Sequence, residues 1–256
     1  MQKSISLIMA VIIWTTGSVL AAQGAEEKGR SDSSTNRVLM LDGKTGGMRV
    51  ADSLSFHSMT NALTMEIWFK AQSFYPENGE VNSLIRKNVA EGQENFFLRF
   101  RTIEGMPWIE MSPGNEVGVL RASYGFTTNR WYHLAGTFDG NEAAVFVNGS
   151  NVKSEMLNGS MNIDDSELFI GKGDPKWSSG EFFHGAVDEI RIWRVVRSPE
   201  QIQRGMNGPL TGKEAGLIAY WNFDHGTAQD ASGHGCDGRL EGEARIIESA
   251  RANAQP

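Results

Sequence analysis

Residues 131–152, WYHLAGTFDGNEAAVFVNGSNV, limit what this chain can fold into more than any other stretch. Residues 131–138 and 142–148 are aromatic, β-branched or small in alternation, which suits a pleated surface. Asp139-Gly140 joins these runs, and Asn148-Gly149 joins the second to the stretch around Val152. Both dipeptides favour the positive-φ turns that close tight hairpins, so three consecutive antiparallel strands are predicted. The remaining sequence agrees, because 29 Gly, 13 Phe and 7 Trp among 256 residues fall into many short apolar runs bounded by turn residues. That pattern reads as one all-β domain with a substantial core.

Period-two alternation assigns faces elsewhere. Leu63, Met65, Ile67 and Phe69 are expected in the core, with Glu66 and Trp68 on the opposite face in a structural role. Phe96, Leu98 and Phe100 alternate with Phe97, Arg99 and Arg101, so the two arginines share a face. The runs around Val38, Arg49, Ile109, Leu120, Phe169, Val187 and Ala219 are further strands. Residues 172–181 form a loop containing Gly173, Pro175, Trp177 and Gly180. Ser198 as N-cap, Pro199 at the first helical position and Gln201 three residues after the cap predict a single short helix near 199–206.

Several segments resemble recurring pieces of one family: W-Y-H-L-A-G-T-F-D-G followed by a strand ending V-N-G, RVLMLDGKTGGMRVADS, LTMEIWFKA, FFHGAVDEIRIWRVVRSPEQI and GLIAYWNFDHGTAQDASGHGCDGRL. Together they resemble the LamG-like jellyroll domains of the concanavalin A-like lectin/glucanase superfamily, to which laminin G domains and pentraxins belong. The resemblance implies a two-sheet antiparallel jellyroll sandwich over residues 37–247. It also implies that residues 38–41 and 48–50 form a hairpin, and that the first and last strands are neighbours.

The N-terminus places Lys3 before an apolar run from Ile5 to Leu20 and small residues at Ala21, Ala22 and Ala25, which reads as a secretory leader over 1–25. An uncleaved anchor is the alternative, although the run is short for a membrane span. Residues 26–36 are expected to be a disordered linker and 248–256 a disordered tail. The leader carries Lys3 and no acid, so its removal takes the formal charge from −7 to −8. That acidic balance works against binding nucleic acid or anionic membrane, which demand a basic face. Cys236 is the only cysteine, so no internal disulfide forms, and with no base beside it in sequence it reads as incidental.

Catalytic strings are missing. The superfamily's glucanases place acids in the pattern E-x-D-x-x-E on one strand face, and no such string occurs here. Asp188 and Glu189 are adjacent and expected to face opposite ways, while Glu66 is the one carboxylate on its strand. There is no nucleophile elbow, H-E-x-x-H or phosphate-cradling loop. The resemblance does imply a structural calcium site beside the first and last strands, with Asp42 and Asp188 as its carboxylates. The local alternative is that Asp42 caps a turn and Asp188 accepts from loop amides. Asn148-Gly149-Ser150 and Asn158-Gly159-Ser160 fit the glycosylation pattern but read as hairpin turns.

For ligands, the informative residues are aromatics outside strands, because sugar rings stack on flat apolar faces. Trp177 leads, since nothing in KGDPKWSSG forms a strand to bury it. Trp108, Tyr124 and Tyr75 follow, with Arg99 and Arg101 as hydrogen-bond donors, whereas Trp68, Trp131, Trp193 and Trp221 read as core. The reading is a secreted, non-catalytic module that binds carbohydrate. A surface or matrix domain binding an extracellular protein is the alternative, and a glucanase-like hydrolase is third.

Overall fold

The computed structural model describes residues 36–249 apart from 75–79, 91–92, 115–116, 162 and 178–179, all within the compact unit Ser34–Pro256. The leader, most of the linker, the tail from residue 250 and Tyr75 therefore lie outside the described residues. One sheet holds β1 (Arg37–Asp42), β3 (Leu63–Ser73), β8 (Tyr132–Phe138), β9 (Glu142–Val147), β10 (Ser150–Met156), β12 (His184–Trp193), β13 (Leu217–Trp221) and β15 (Arg245–Glu248). The other holds β2 (Gly47–Val50), β4 (Val81–Ala90), β5 (Gln93–Ile103), β6 (Met106–Gly114), β7 (Gly118–Ser123), β11 (Leu168–Ile170) and β14 (Gly238–Glu241). Their orders are β10-β9-β8-β3-β12-β1-β15, with β13 also paired to β12, and β14-β2-β11-β4-β5-β6-β7. Each of these pairs is antiparallel, and the two sheets form the expected sandwich.

The predicted meander is β8, β9 and β10. Asn148 (φ 50°) and Gly149 (φ 78°) are both left-handed, as a two-residue hairpin turn demands. At the other turn Asp139 Oδ1 accepts from the amides of Asn141 (2.8 Å) and Glu142 (2.7 Å). No turn forms at Asn158-Gly159, where the chain is irregular. Leu63, Met65, Ile67 and Phe69 lie in the core between the sheets with Phe96, Leu98, Phe100, Ile109 and Met111. Phe69 meets Phe100 edge-on, with ring centroids 5.1 Å apart, and each such fully buried ring contributes about 1.5–3 kcal/mol relative to exposure.

Four features depart from the sequence reading. First, β1 and β2 belong to different sheets, so the expected hairpin is a crossover. Asp42 turns the chain between them by accepting from the amides of Lys44, Thr45 and Gly46 at 2.7–3.1 Å. Second, an additional one-turn helix, α1 (Leu54–His57), is capped by Ser53 and anchored by buried Phe56. Third, β15 is an additional strand, paired with β1. Fourth, β12 bulges: Asp188 faces Trp68 and Arg191 faces Glu66, so three steps on β12 oppose two on β3. Glu189, at φ 51°, absorbs the extra residue. Asp188 and Glu189 consequently leave the same side of the sheet, while Val187 and Ile190 both reach the core.

The outer side of the eight-stranded sheet is covered. The predicted helix forms as α2 (Pro199–Gly205), complete with the Ser198–Gln201 capping box. Trp68 Nε1 donates to Met206 O just beyond it (2.7 Å). Beneath lies a charged layer in which Glu66, with no exposure, meets His133 Nε2 at 3.3 Å, Arg197 Nε at 3.4 Å and Arg191 Nη1 at 3.8 Å. Arg191 also donates to Gly205 O and Gly208 O, both at 2.8 Å, and to Glu189, which accepts from Tyr220 Oη at 2.9 Å. Burial alone would raise the Glu66 pKa, but His133, Arg191 and Arg197 hold it below the usual carboxylate range. Glu66 and Trp68 thus have the structural role expected of them.

Candidate functional site

On the seven-stranded sheet the inward positions are apolar: Met48, Val50, Ile85, Leu98, Ile109, Met111, Leu120, Leu168 and Ile170. Period two then sends Arg49, Arg86, Phe97, Arg99, Arg101, Trp108, Glu110, Arg121 and Phe169 to the other side. This outer face carries most of the residues that the sequence marked for ligand contact.

At one edge, Trp177 opens onto a cavity of about 540 Å³ lined also by Arg49, Phe169, Asp174, Glu167 and Glu241. Trp177 is 44 % exposed, unlike the buried Trp68, Trp193 and Trp221. Asp174 builds the turn that presents it, its carboxylate accepting from the Lys176 amide (2.8 Å) and its carbonyl from the Trp177 amide (3.1 Å). The cavity's Arg49, Glu167 and Glu241 belong to a chain of alternating charge. Lys172 Nζ meets Glu241 at 2.8 Å, Glu241 meets Arg49 Nε at 2.9 Å, and Arg49 Nη1 meets Glu167 at 2.8 Å. Gly47 makes room for it, since a Cβ there would collide with the Lys172 side chain. An exposed indole beside fixed, half-exposed carboxylates and a guanidinium offers a stacking surface with hydrogen-bonding groups of both senses.

Toward the opposite edge, Arg99 and Arg101 share a face as the strand pattern implied, with Trp108 opposite Arg101 on β6, around a group that the sequence reading missed. Glu110, fully buried, accepts from Arg99 Nε at 2.8 Å on one oxygen and from Arg101 Nε at 2.9 Å and Arg121 Nε at 2.8 Å on the other. Burial pushes its pKa up, but Arg99, Arg121 and Arg101 outweigh this and keep it below the usual range. Trp108 is half-buried opposite Arg101 and Ser123. Tyr124 does not join them: its ring packs 4.8 Å from Phe126, over the end of the main core.

The aspartates expected to share calcium stand apart. Asp42 faces His184, and Asp188 lies four residues further along β12 opposite Trp68, about 13 Å away at the rise of a strand. One ion cannot take both as ligands, and among the described residues no group of three or more His, Cys, Asp or Glu is arranged around a common point. Asp42 serves the turn: burial raises its pKa, but the amides of Thr45, Gly46 and Lys44 prevail and bring it to about 2. Asp188 accepts from the Glu189 amide (2.8 Å) and from Asn36 Nδ2 (3.4 Å). The Asp230 turn is likewise hydrogen-bonded locally, through the amides of Ser232, His234 and Cys236. Burial pushes the Cys236 thiol up to about 11, which suits an inert core residue.

Comparison with known proteins fits this fold. A laminin G family model, described as Concanavalin A-like lectin/glucanases superfamily, matches residues 42–203, more than half of the chain. The chain belongs to that superfamily. This concanavalin A-like chain is 22 % identical over 209 residues to mouse pappalysin-1, covering 74 % of itself but 12 % of that much longer protein. Among solved structures it resembles a candidate carbohydrate-binding protein from Bacteroides ovatus, with a TM-score of 0.64, 22 % identity, and coverage of 84 % of this chain and 60 % of that one. It also resembles a heptameric SAP-like pentraxin from Limulus polyphemus, with a TM-score of 0.51, 14 % identity, and coverage of 66 % and 81 %. At these identities the two structures share the fold.

Proposed function

We propose that the protein is an exported, non-catalytic module that binds carbohydrate on the outer face of its seven-stranded sheet, with Trp177 as the stacking platform. The observation that carries this reading is the exposed indole at the mouth of a cavity lined by the paired charges of Arg49, Glu167 and Glu241. The other tryptophans that the structure describes apart from Trp108 are buried and structural. The Bacteroides ovatus protein, itself a candidate for carbohydrate binding, supports the same reading. A non-catalytic role is supported by how the buried acids are engaged, Glu66, Glu110 and Glu189 each being held by cations. Export rests on the leader at 1–25, and no helix among the described residues is long and apolar enough to cross a membrane.

A glycan array probed with the protein and with Trp177→Ala tests the reading. The wild type should bind a defined group of oligosaccharides, and the variant should bind them about thirtyfold more weakly, the cost of truncating an aromatic anchor at about 2 kcal/mol. A blank array alongside capture of a specific extracellular protein would replace the carbohydrate reading with the adhesion one.

A further inference from the structure

We infer that the Trp177 cavity selects sugars bearing a free amine, so that the glycan it holds sets an ammonium group against the indole and the carboxylates around it. The inference rests on the carbohydrate reading and names the substrate class of that same site.

Five carboxylates line the cavity: Asp164, Asp165, Glu167, Asp174 and Glu241. Against them stand Arg49 and Lys176 in the lining and Lys172, which reaches Glu241 at 2.8 Å. Two negative charges are left over. Lys87 lies behind the wall, fully buried, and is matched there by Asp52 at 3.0 Å. Between positions 36 and 249 the residues outside the described set supply no further cation, for none of them is lysine or arginine. An anionic sugar entering the cavity therefore meets like charge, whereas a cationic one is attracted.

The acids differ in what engages them. Arg49 holds Glu167 at 2.8 Å and Glu241 at 2.9 Å, while Asp164 accepts from Asn95 Nδ2 at 2.6 Å and from the Ser166 amide at 3.0 Å. Asp165 and Asp174 pair with no cation among the described residues. Asp165 is exposed, and Asp174 opens the turn that presents Trp177. Their charge is thus available to a ligand seated on the indole.

The cavity wall already holds one ammonium in this manner. Lys172 Nζ sits between the Glu241 carboxylate and the ring of Phe169, 5.6 Å from the ring centroid, and Phe169 lines the cavity. A carboxylate and the negative face of an aromatic ring both attract a cation placed between them. Trp177 with Asp165 and Asp174 offers the same pair of attractions on the open side, and an indole is the best of the aromatic faces for a cation. Lys176 does not occupy that position, because it is exposed and makes no ion pair or ring contact among the described residues. Nor do the acids suit a bare metal ion, since among the described residues no three of them surround a common point. A volume of about 540 Å³ suits a sugar ring instead, whose apolar face stacks on the indole while its protonated amine donates to the carboxylates.

Titration calorimetry of the full chain, in mildly acidic buffer where the amine is protonated, tests this with oligomers of glucosamine and of galactosamine, their N-acetylated counterparts, and spermine. Each free-amine oligomer shares a backbone with its acetylated partner and differs in charge, and spermine carries ammonium groups without a sugar. One free-amine oligomer should bind at least about tenfold more tightly than both its acetylated partner and spermine, as charge-assisted hydrogen bonds imply. Asp165→Asn should close most of the gap between the two oligomers. Glu104→Gln, the same charge change at the exposed turn between β5 and β6, should leave the gap as it is. Equal narrowing in the two variants would reduce the effect to net charge and overturn the inference, and so would spermine binding as tightly as the oligomer. Trp177-dependent binding of neutral glycans with no preference for a free amine would overturn this inference alone, whereas no binding to any glycan, here or on the array, would overturn the carbohydrate reading beneath it.

Discussion

Arg191 has no solvent exposure, and a guanidinium in that position is tolerable only because Glu66, Glu189 and the carbonyls of Gly205 and Gly208 surround it. Burial would lower its pKa, but Glu189 and Glu66 raise it instead, so it stays charged. Arg191→Met strips a partner from both acids and should cost about 3–5 kcal/mol of unfolding free energy, measured by urea titration. A loss below about 1 kcal/mol would mean that the cluster is looser than its geometry. Asp42 offers a second test, with a pH signature. Its folded pKa of about 2 lies below the ordinary 3.8, so its stabilisation is present above pH 3.8 and fades as pH falls through about 2. The gap in thermal midpoint between wild type and Asp42→Ala should close over that window, and at neutral pH it should be the same in chelator and in millimolar calcium. Trp177 was legible in sequence because an indole in a Gly- and Pro-containing loop has no strand to bury it. Glu110 was not, because Arg99, Arg101 and Arg121 reach it from β5 and β7, and their convergence depends on strand register.

At the scale of elements, local signals survived and non-local ones did not. The cap of α2 is written in Ser198, Pro199 and Gln201, and the structure reproduces it bond for bond: Gln201 N to Ser198 Oγ at 3.2 Å and Ser198 N to Gln201 Oε1 at 2.8 Å. Ser198→Ala should lower stability by about 1 kcal/mol in the same urea experiment, and no change would show that α2 is held by packing alone. The β12 bulge escaped the sequence reading because period two assumes an unbroken ladder, and one left-handed residue, Glu189, shifts every face after it. The β1–β2 crossover escaped for a related reason. The resemblance implied a hairpin here, yet Asp42 accepts from the amides of Lys44, Thr45 and Gly46 and the chain passes to the other sheet.

At the scale of the molecule, the two sheets present different outer faces. The eight-stranded sheet is roofed by α2 and the segment after it, with Trp68 and Arg191 bonded to that roof. The seven-stranded sheet instead displays paired charges, Trp108 and the exposed Trp177. The sandwich itself was readable from the hairpin dipeptides and alternation, but which sheet α2 covers is a tertiary fact. The central claim, that ligand binds the outer face of the seven-stranded sheet at Trp177, is tested most directly by following the indole N–H resonances in two-dimensional NMR while a glycan identified on the array is titrated in. The account predicts that the Trp177 and Trp108 signals move while those of Trp68, Trp193 and Trp221 stay in place. Movement confined to the buried tryptophans of the eight-stranded sheet, or no movement of Trp177 at saturation, would contradict it.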